Sequence, residues 1–266
     1  MLGIMQGRLS NKGSFPLQSF PRDTWAEEFI RAKKLGFSKI EWLIDKNNDY
    51  KNPLYSKEGR GKIIDISDQS GIKIDTLCAH FLIDGKVLKK NQESDNVKNF
   101  FFETIQLAPL VGIKFISIPL IEDLSLKNKV VFKELKNLLK EVTEKFEIEI
   151  LIETDLKNQE NLNFIKSIGS DNINILLDTG NLTKNNFDFQ EEFTKFHKKI
   201  KEIHIKDYSL KEKKSVRLGL GDTDLVDIFN TLKRFSWEGH IILETPIFEN
   251  WYAEAISNLN HIKNID

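Results

Sequence analysis

The sequence predicts an α/β protein, a single (β/α)8 barrel over residues 1–266. Three observations predict it. Short apolar runs alternate eight times with longer helical patterns, at a period of roughly 30 residues, the length of one strand-helix unit. No break in composition interrupts the series. Four of the runs, Ile148–Glu153, Ile173–Asp178, Ile200–Ile205 and His240–Glu244, carry an acidic residue or a histidine at their carboxyl end. In a parallel barrel those ends share one mouth, where active residues sit. An open doubly wound sheet would call for a Gly-rich nucleotide loop after the first strand, and Gly3 and Gly7 do not make one.

Leu2–Met5 is the first strand, followed by Gln6-Gly7-Arg8. The connection from Ser10 to Asp23, with Pro16 and Pro21, is longer than usual and is a candidate lid or binding loop. Thr24 with Glu27 reads as a capping box for a helix that runs to Leu35 and stops at Gly36. The second strand is Ser38–Leu43, and a helix from Ser56 to Gln69 stops near Gly71. Ile74–Ala79 is the third strand and ends at His80. A helix over Ser94–Leu110 leads to the strand Phe115–Pro119. In the helix Lys129–Phe146, Val131, Phe132, Leu135, Leu138, Leu139 and Val142 recur with helical period. Helices over Gln159–Ile168 and Phe189–Lys198 separate the next strands. A Gly-containing loop, Lys206–Gly221, precedes a helix capped by Asp222 or Thr223 and reaching Phe235. Trp251–Ile262 is the last helix.

Of the 266 residues 40% are hydrophobic, enough for one core burying roughly three quarters of the unfolded surface. The 39 basic and 40 acidic residues leave a net charge of −1, so no global field draws the chain to nucleic acid or anionic lipid. A single cysteine, Cys78, excludes an internal disulfide and fits a reducing compartment. Met1–Ser10 lacks the pattern of a signal peptide, and no apolar run of about 18 residues spans a membrane. The expectation is a cytoplasmic protein acting on a small molecule, with neither nucleic acid nor membrane as partner; a homo-oligomer stays open.

Glu153, Asp178, His204 and Glu244 are three carboxylates and an imidazole, a set suited to one divalent ion. It is hard and oxygen-rich, which favours Mn2+, Mg2+ or Co2+ and admits Zn2+. Gly180 allows the chain to turn away while Asp178 faces inward. By strand alternation Ile203 and Ile205 point opposite to His204. An inward histidine needs a polar partner or a metal; the alternative is a satisfied core histidine. His80 and Glu41 are read as substrate contacts, with plain structure as the competing reading. Gln6, Asn181 and Lys206, beside the strand ends, join them. In the Lys206–Gly221 loop a solvated face explains Lys211, Lys213 and Lys214, whereas Arg217, just before Leu218-Gly219-Leu220-Gly221, suits an anionic or polyhydroxyl substrate. Trp42, Phe81 and Trp251 either wall the pocket or pack the core. His197, His240 and His261 are badly placed for the site.

Seven short motifs occur in order: Gly3-Ile-Met-Gln-Gly-Arg-Leu-Ser10, Cys78-Ala-His-Phe81, Ile152-Glu-Thr154, Leu177-Asp-Thr-Gly-Asn181, Ile203-His-Ile-Lys-Asp207, Leu218-Gly-Leu-Gly-Asp222 and Leu243-Glu-Thr-Pro246. Together they resemble the sugar phosphate isomerase/epimerase family of the xylose isomerase-like TIM barrel superfamily, across essentially the whole chain. The resemblance implies a divalent ion held by Glu153, Asp178, His204 and Glu244. It also implies that Glu153 and Glu244 move protons and that Arg217 contacts the sugar. Such chemistry removes a proton beside a carbonyl, and the resulting enediolate needs positive charge nearby. Two carboxylates on opposite faces serve 3-epimerisation, whereas aldose-ketose isomerisation needs one face or a hydride shift. Two other readings are an apurinic endonuclease and a barrel that only binds a ligand. The first is disfavoured because Asn181 stands where some relatives place a histidine and only five histidines exist. The complete ligand set argues against the second.

Overall fold

The computed structural model describes residues 2–11, 17–47, 50–248 and 250–265. In chain order the strands are β1 (Leu2–Met5), β2 (Lys39–Ile44), β3 (Thr76–Ala79), β4 (Phe115–Leu120), β5 (Glu149–Thr154), β6 (Ile173–Asp178), β7 (Ile200–Ile205), β8 (Asp207–Ser209), β9 (Lys214–Val216) and β10 (His240–Leu243). β1 to β7 and β10 form a closed barrel in sequence order, every pair parallel, with β10 closing on β1. The helices are α1 (Trp25–Leu35), α2 (Lys57–Ser70), α3 (Gln92–Leu107), α4 (Lys129–Lys145), α5 (Asn158–Ile168), α6 (Thr179–Lys184), α7 (Phe189–Phe196), α8 (Leu225–Arg234) and α9 (Trp251–Ile265). No helix among the described residues is long and apolar enough to cross a membrane.

The apolar core has two compartments, as strand alternation requires. Outward-facing Ile40, Trp42, Ile44, Ile116 and Ile150 join helix residues such as Phe29, Phe101 and Leu139 in one continuous cluster. A much smaller cluster, Met5, Leu43, Cys78 and Ile242, fills part of the barrel interior. Polar groups take further interior positions: Glu41, Ser117, Glu202 and His204 contact one another there and are essentially inaccessible. Trp42 therefore packs outside the barrel against Trp25 and Phe20, and Phe81 packs on Phe100 and Phe101. Trp251, at the start of α9, lies under the Arg31 guanidinium. All three aromatics are thus accounted for by packing.

Several local expectations are corrected. Thr24 does not cap α1: its hydroxyl is shared with Ser10 at 2.7 Å, and Glu27 reaches forward to Arg31 instead of back. α8 is capped by Asp224, whose carboxylate accepts from the Asp227 amide at 2.9 Å. Asp222 is engaged by the Leu210 amide, and the Thr223 hydroxyl by Thr183 and the Tyr208 amide. The segment after β6 is the short helix α6, and the Lys206–Gly221 loop contains the antiparallel pair β8–β9. In the candidate lid, Leu17 to Asp23 are described, while residues 12–16, Pro16 included, lie outside the described residues.

Candidate active site

Register sets the site. Asp178 is the partner of His204 across β6 and β7. β10 pairs with β7 up to Leu243 and Ile205, and the Glu244 amide then donates to the Ile205 carbonyl at 3.1 Å. Glu153 lies one residue before the end of β5. One ligand atom each from Asp178, His204 and Glu244 falls within a 4.8 Å cluster, with all three residues buried. Glu153 joins this group through Asn181. The Asn181 side-chain amide donates to Glu153 Oε1 at 2.6 Å, and its backbone amide donates to Asp178 Oδ1 at 2.7 Å. That second bond is also the N-cap of α6, with Asp178 as the cap, so the bond that starts the helix also sets Asn181 between two carboxylates.

His204 is held on both ring nitrogens. Nδ1 lies 2.9 Å from Glu244 Oε2. Nε2 stands 2.9 Å from Glu41 Oε2 and 3.4 Å from Glu202 Oε1, near enough for ion pairing but off the line of an ideal hydrogen bond. Burial alone would keep the imidazole neutral, but Glu41, with Glu202 and Glu244 also close to the ring, pushes it well above its ordinary value. Glu41 lies beneath His204, fully buried, and its other oxygen accepts from the Ser117 hydroxyl at 2.8 Å.

The two outer glutamates differ sharply in proton affinity. Burial and then the neighbouring Asp178 raise Glu153 to about 8. Burial would also raise Glu244, but Lys206, His204 and Arg8 hold it well below the ordinary carboxylate range. Lys206 Nζ sits 2.9 Å from Asp178 Oδ2 and 3.0 Å from Glu244 Oε2. It is a cation resting between two candidate metal ligands. The position attracts positive charge, and its oxygen-rich donors suit a hard divalent ion, so the residues fit the metal that the sequence implied.

The remaining expected contacts vary. His80 opens the turn after β3; its Nδ1 is buried and makes no hydrogen bond among the described residues, and burial lowers the ring to about 4. Gln6 is buried and accepts from the Leu43 amide at 3.2 Å. Arg217 is drawn to the rim, where Glu254 of α9 takes it bidentately at 2.8 and 2.6 Å and the Phe248 ring lies 4.9 Å below it.

Sequence reasoning assigned no role to several participants. Buried Arg8 lies 3.7 Å from Glu244 and donates to the Leu17 carbonyl and the Gln18 side chain at 2.8 and 2.6 Å. Gln18 in turn donates to Glu244 Oε1, so the connection after β1 does reach the site. Glu28 of α1 accepts from the Gly7 and Leu9 amides at 2.9 and 3.0 Å and fixes the turn that carries Arg8. Asp207 accepts from the amides of Gly219, Gly221 and Thr223 and folds the glycine loop over itself. A side chain at 221 would collide with it, its Cβ falling 2.1 Å from Asp207 Oδ1. The only advance signal was polarity on inward or loop positions.

A family model, the xylose isomerase-like TIM barrel, matches residues 29–264. The chain belongs to that family. Among curated relatives, the L-ribulose-5-phosphate 3-epimerase UlaE of Escherichia coli (strain SMS-3-5 / SECEC) is 25% identical over 238 residues, covering 84% of this chain and 82% of that one. Among solved structures, the D-psicose 3-epimerase of Clostridium cellulolyticum H10 superposes with a TM-score of 0.76 at 14% identity, over 99% of this chain and 98% of that one. The IOLI protein, solved with a binding zinc atom, has a TM-score of 0.73 at 17% identity, over 99% and 97%. The xylose isomerase-like chain thus stands among sugar epimerases and isomerases.

Proposed function

We propose that this chain is a metal-dependent 3-epimerase of a ketose phosphate of the L-ribulose 5-phosphate class, working by proton transfer beside the carbonyl. The class comes from the UlaE relative. The observation that carries the mechanism is the pair Glu153 and Glu244, two buried carboxylates at the two ends of the row Glu153, Asp178, His204 and Glu244 laid across the neighbouring strands β5, β6, β7 and β10. Groups separated in this way are suited to opposite roles in one proton relay.

Glu153, Asp178, His204 and Glu244 would hold one divalent ion, with Mn2+, Mg2+ or Co2+ preferred and Zn2+ admitted. When bound, the ion supplies positive charge for the oxygens of an enediolate. Glu244, kept ionised by the positive charge around it, takes the proton at C-3. Glu153 returns one, drawn from solvent, on the other side, and Asn181 keeps its carboxylate aimed at the mouth. Glu41 fixes the ring of His204 from below. Gln18 has its oxygen on Arg8, so only its amide nitrogen faces the site, as a donor to Glu244. His80, with an unpaired Nδ1, contacts the sugar.

The test is turnover in deuterated water. Chelated protein given Mn2+ and L-ribulose 5-phosphate should form the C-3 epimer with solvent deuterium at C-3, followed by NMR. Glu153→Gln and Glu244→Gln should each lose roughly two or more orders of magnitude in kcat. An unlabelled product would point to a hydride shift. Absence of turnover with both L-ribulose 5-phosphate and free D-psicose would reject the epimerase assignment.

A further inference from the structure

Lys206 is built into the site by contacts that have no other evident purpose. Its backbone is clamped by Thr179, whose hydroxyl donates to the Lys206 carbonyl at 2.6 Å and accepts from the Lys206 amide at 2.8 Å. Its aliphatic stem lies across Gly180, where a Cβ would come within 3.1 Å of both Cγ and Cδ. A side chain at 180 would crowd the stem where it crosses. The stem then delivers the ammonium between Asp178 Oδ2 and Glu244 Oε2, at 2.9 and 3.0 Å. Those residues supply two of the three groups whose ligand atoms gather within 4.8 Å. The side chain is only 18% exposed, so little water screens the charge.

We propose that Lys206 is a tethered cation that shares Asp178 and Glu244 with the divalent ion. In the metal-free protein it neutralises them. When the ion binds, the ammonium leaves both oxygens and turns to the oxygens of the substrate, where it contributes charge to the same enediolate. The inference rests on the metal reading above. It adds that the ion's affinity is deliberately weakened by a competing internal charge, and that this charge is then used in the reaction.

The consequence is an opposite response of ion binding and turnover. A fixed positive charge beside two ligands opposes the approach of a dication, and removing it relieves that opposition. Full-length metal-free protein would be titrated with Mn2+ alone by calorimetry, comparing wild type, Lys206→Met and Lys206→Gln. Methionine keeps the stem; glutamine keeps a donor without the charge, which covers the case that the first variant does not fold. Both variants should bind Mn2+ at least tenfold tighter. The metal-free variants should melt lower than wild type, and Mn2+ should restore the difference. With L-ribulose 5-phosphate at saturating Mn2+, kcat should fall by at least tenfold. Equal or weaker Mn2+ binding in the variants overturns the inference while leaving the metal reading intact. Binding in the variants but not in wild type supports it, with lysine as the dominant cation. Absence of binding in all three removes the metal reading and this inference with it.

Discussion

Loading the site with a divalent ion should expel about two protons at pH 7, and the number follows from the charges placed there. Glu41, Glu153, Asp178, Glu202 and Glu244 are five buried carboxylates around His204. Arg8, His204 and Lys206 are the cations among them. Five negative charges against three positive ones leave two in excess. In the metal-free protein, protons on Glu153 and, in part, on Glu202 reduce that excess. Glu153 is raised to about 8 by burial and Asp178, and Glu202 to about 7 by burial and Glu41. Ligation requires Glu153 ionised and the ligating nitrogen of His204 unprotonated, so one proton leaves from each as two positive charges arrive, while Glu202 is not a ligand and keeps its share. With Glu153 at about 8, about one tenth of the molecules are ready at pH 7. This group alone weakens apparent affinity about tenfold per pH unit below 8, or about 1.4 kcal/mol. Calorimetric titration with Mn2+ in two buffers of different ionisation enthalpy, from pH 6 to 9, counts the protons directly. About two should leave at pH 7 and about one at pH 9, and Glu153→Gln should release about one at pH 7. Fewer than one proton released by wild type, or a count unchanged in Glu153→Gln, would refute the reasoning.

The layer beneath the site separates a charged support from a neutral one. Glu41→Gln removes the negative partner of His204 and should weaken Mn2+ binding by about 10–100-fold. Glu202→Gln, replacing a carboxyl that is about half protonated at pH 7 and is not a ligand, should change it far less; the same calorimetry checks both. In Glu28→Ala the half-buried Gly7 amide and the buried Leu9 amide lose their acceptor, and unfolding in urea should show a loss of about 2–5 kcal/mol. An abasic-site duplex incubated with the Mn2+-loaded protein should stay intact on a denaturing gel, and robust metal-dependent nicking would favour the endonuclease reading.

The strand ends were legible because their chemistry repeats. β6 and β7 begin and end where the apolar runs do, and a parallel closed sheet leaves Asp178 and His204 no choice but adjacency. What escaped had no periodic signature. α6 has six residues, too few for an amphipathic pattern. Arg217 is bound by Glu254, 37 residues away on a helix that the loop's own sequence does not specify. Gln18 lies in a connection that offers no period at all, and its placement follows from Arg8, which itself depends on Glu28.

Glu202 is the more instructive omission, since alternation already put it on the same face as His204, two residues earlier in β7. An acid in the middle of a strand reads as solvent-facing, because burying an unpaired carboxylate is costly. Here that cost is reduced by a proton, with burial and Glu41 together raising the group to about 7, and by the His204 ring 3.4 Å away. The same two residues explain why His204 differs from an ordinary core histidine. Its lower nitrogen faces negative charge from Glu41 and its upper nitrogen faces Glu244, so the ring is fixed in orientation whichever proton it carries. An ion approaching from the mouth would take the upper nitrogen and leave the lower one, still protonated, on Glu41. The ring would then keep its orientation with or without the ion, because the buried carboxylates hold it from below.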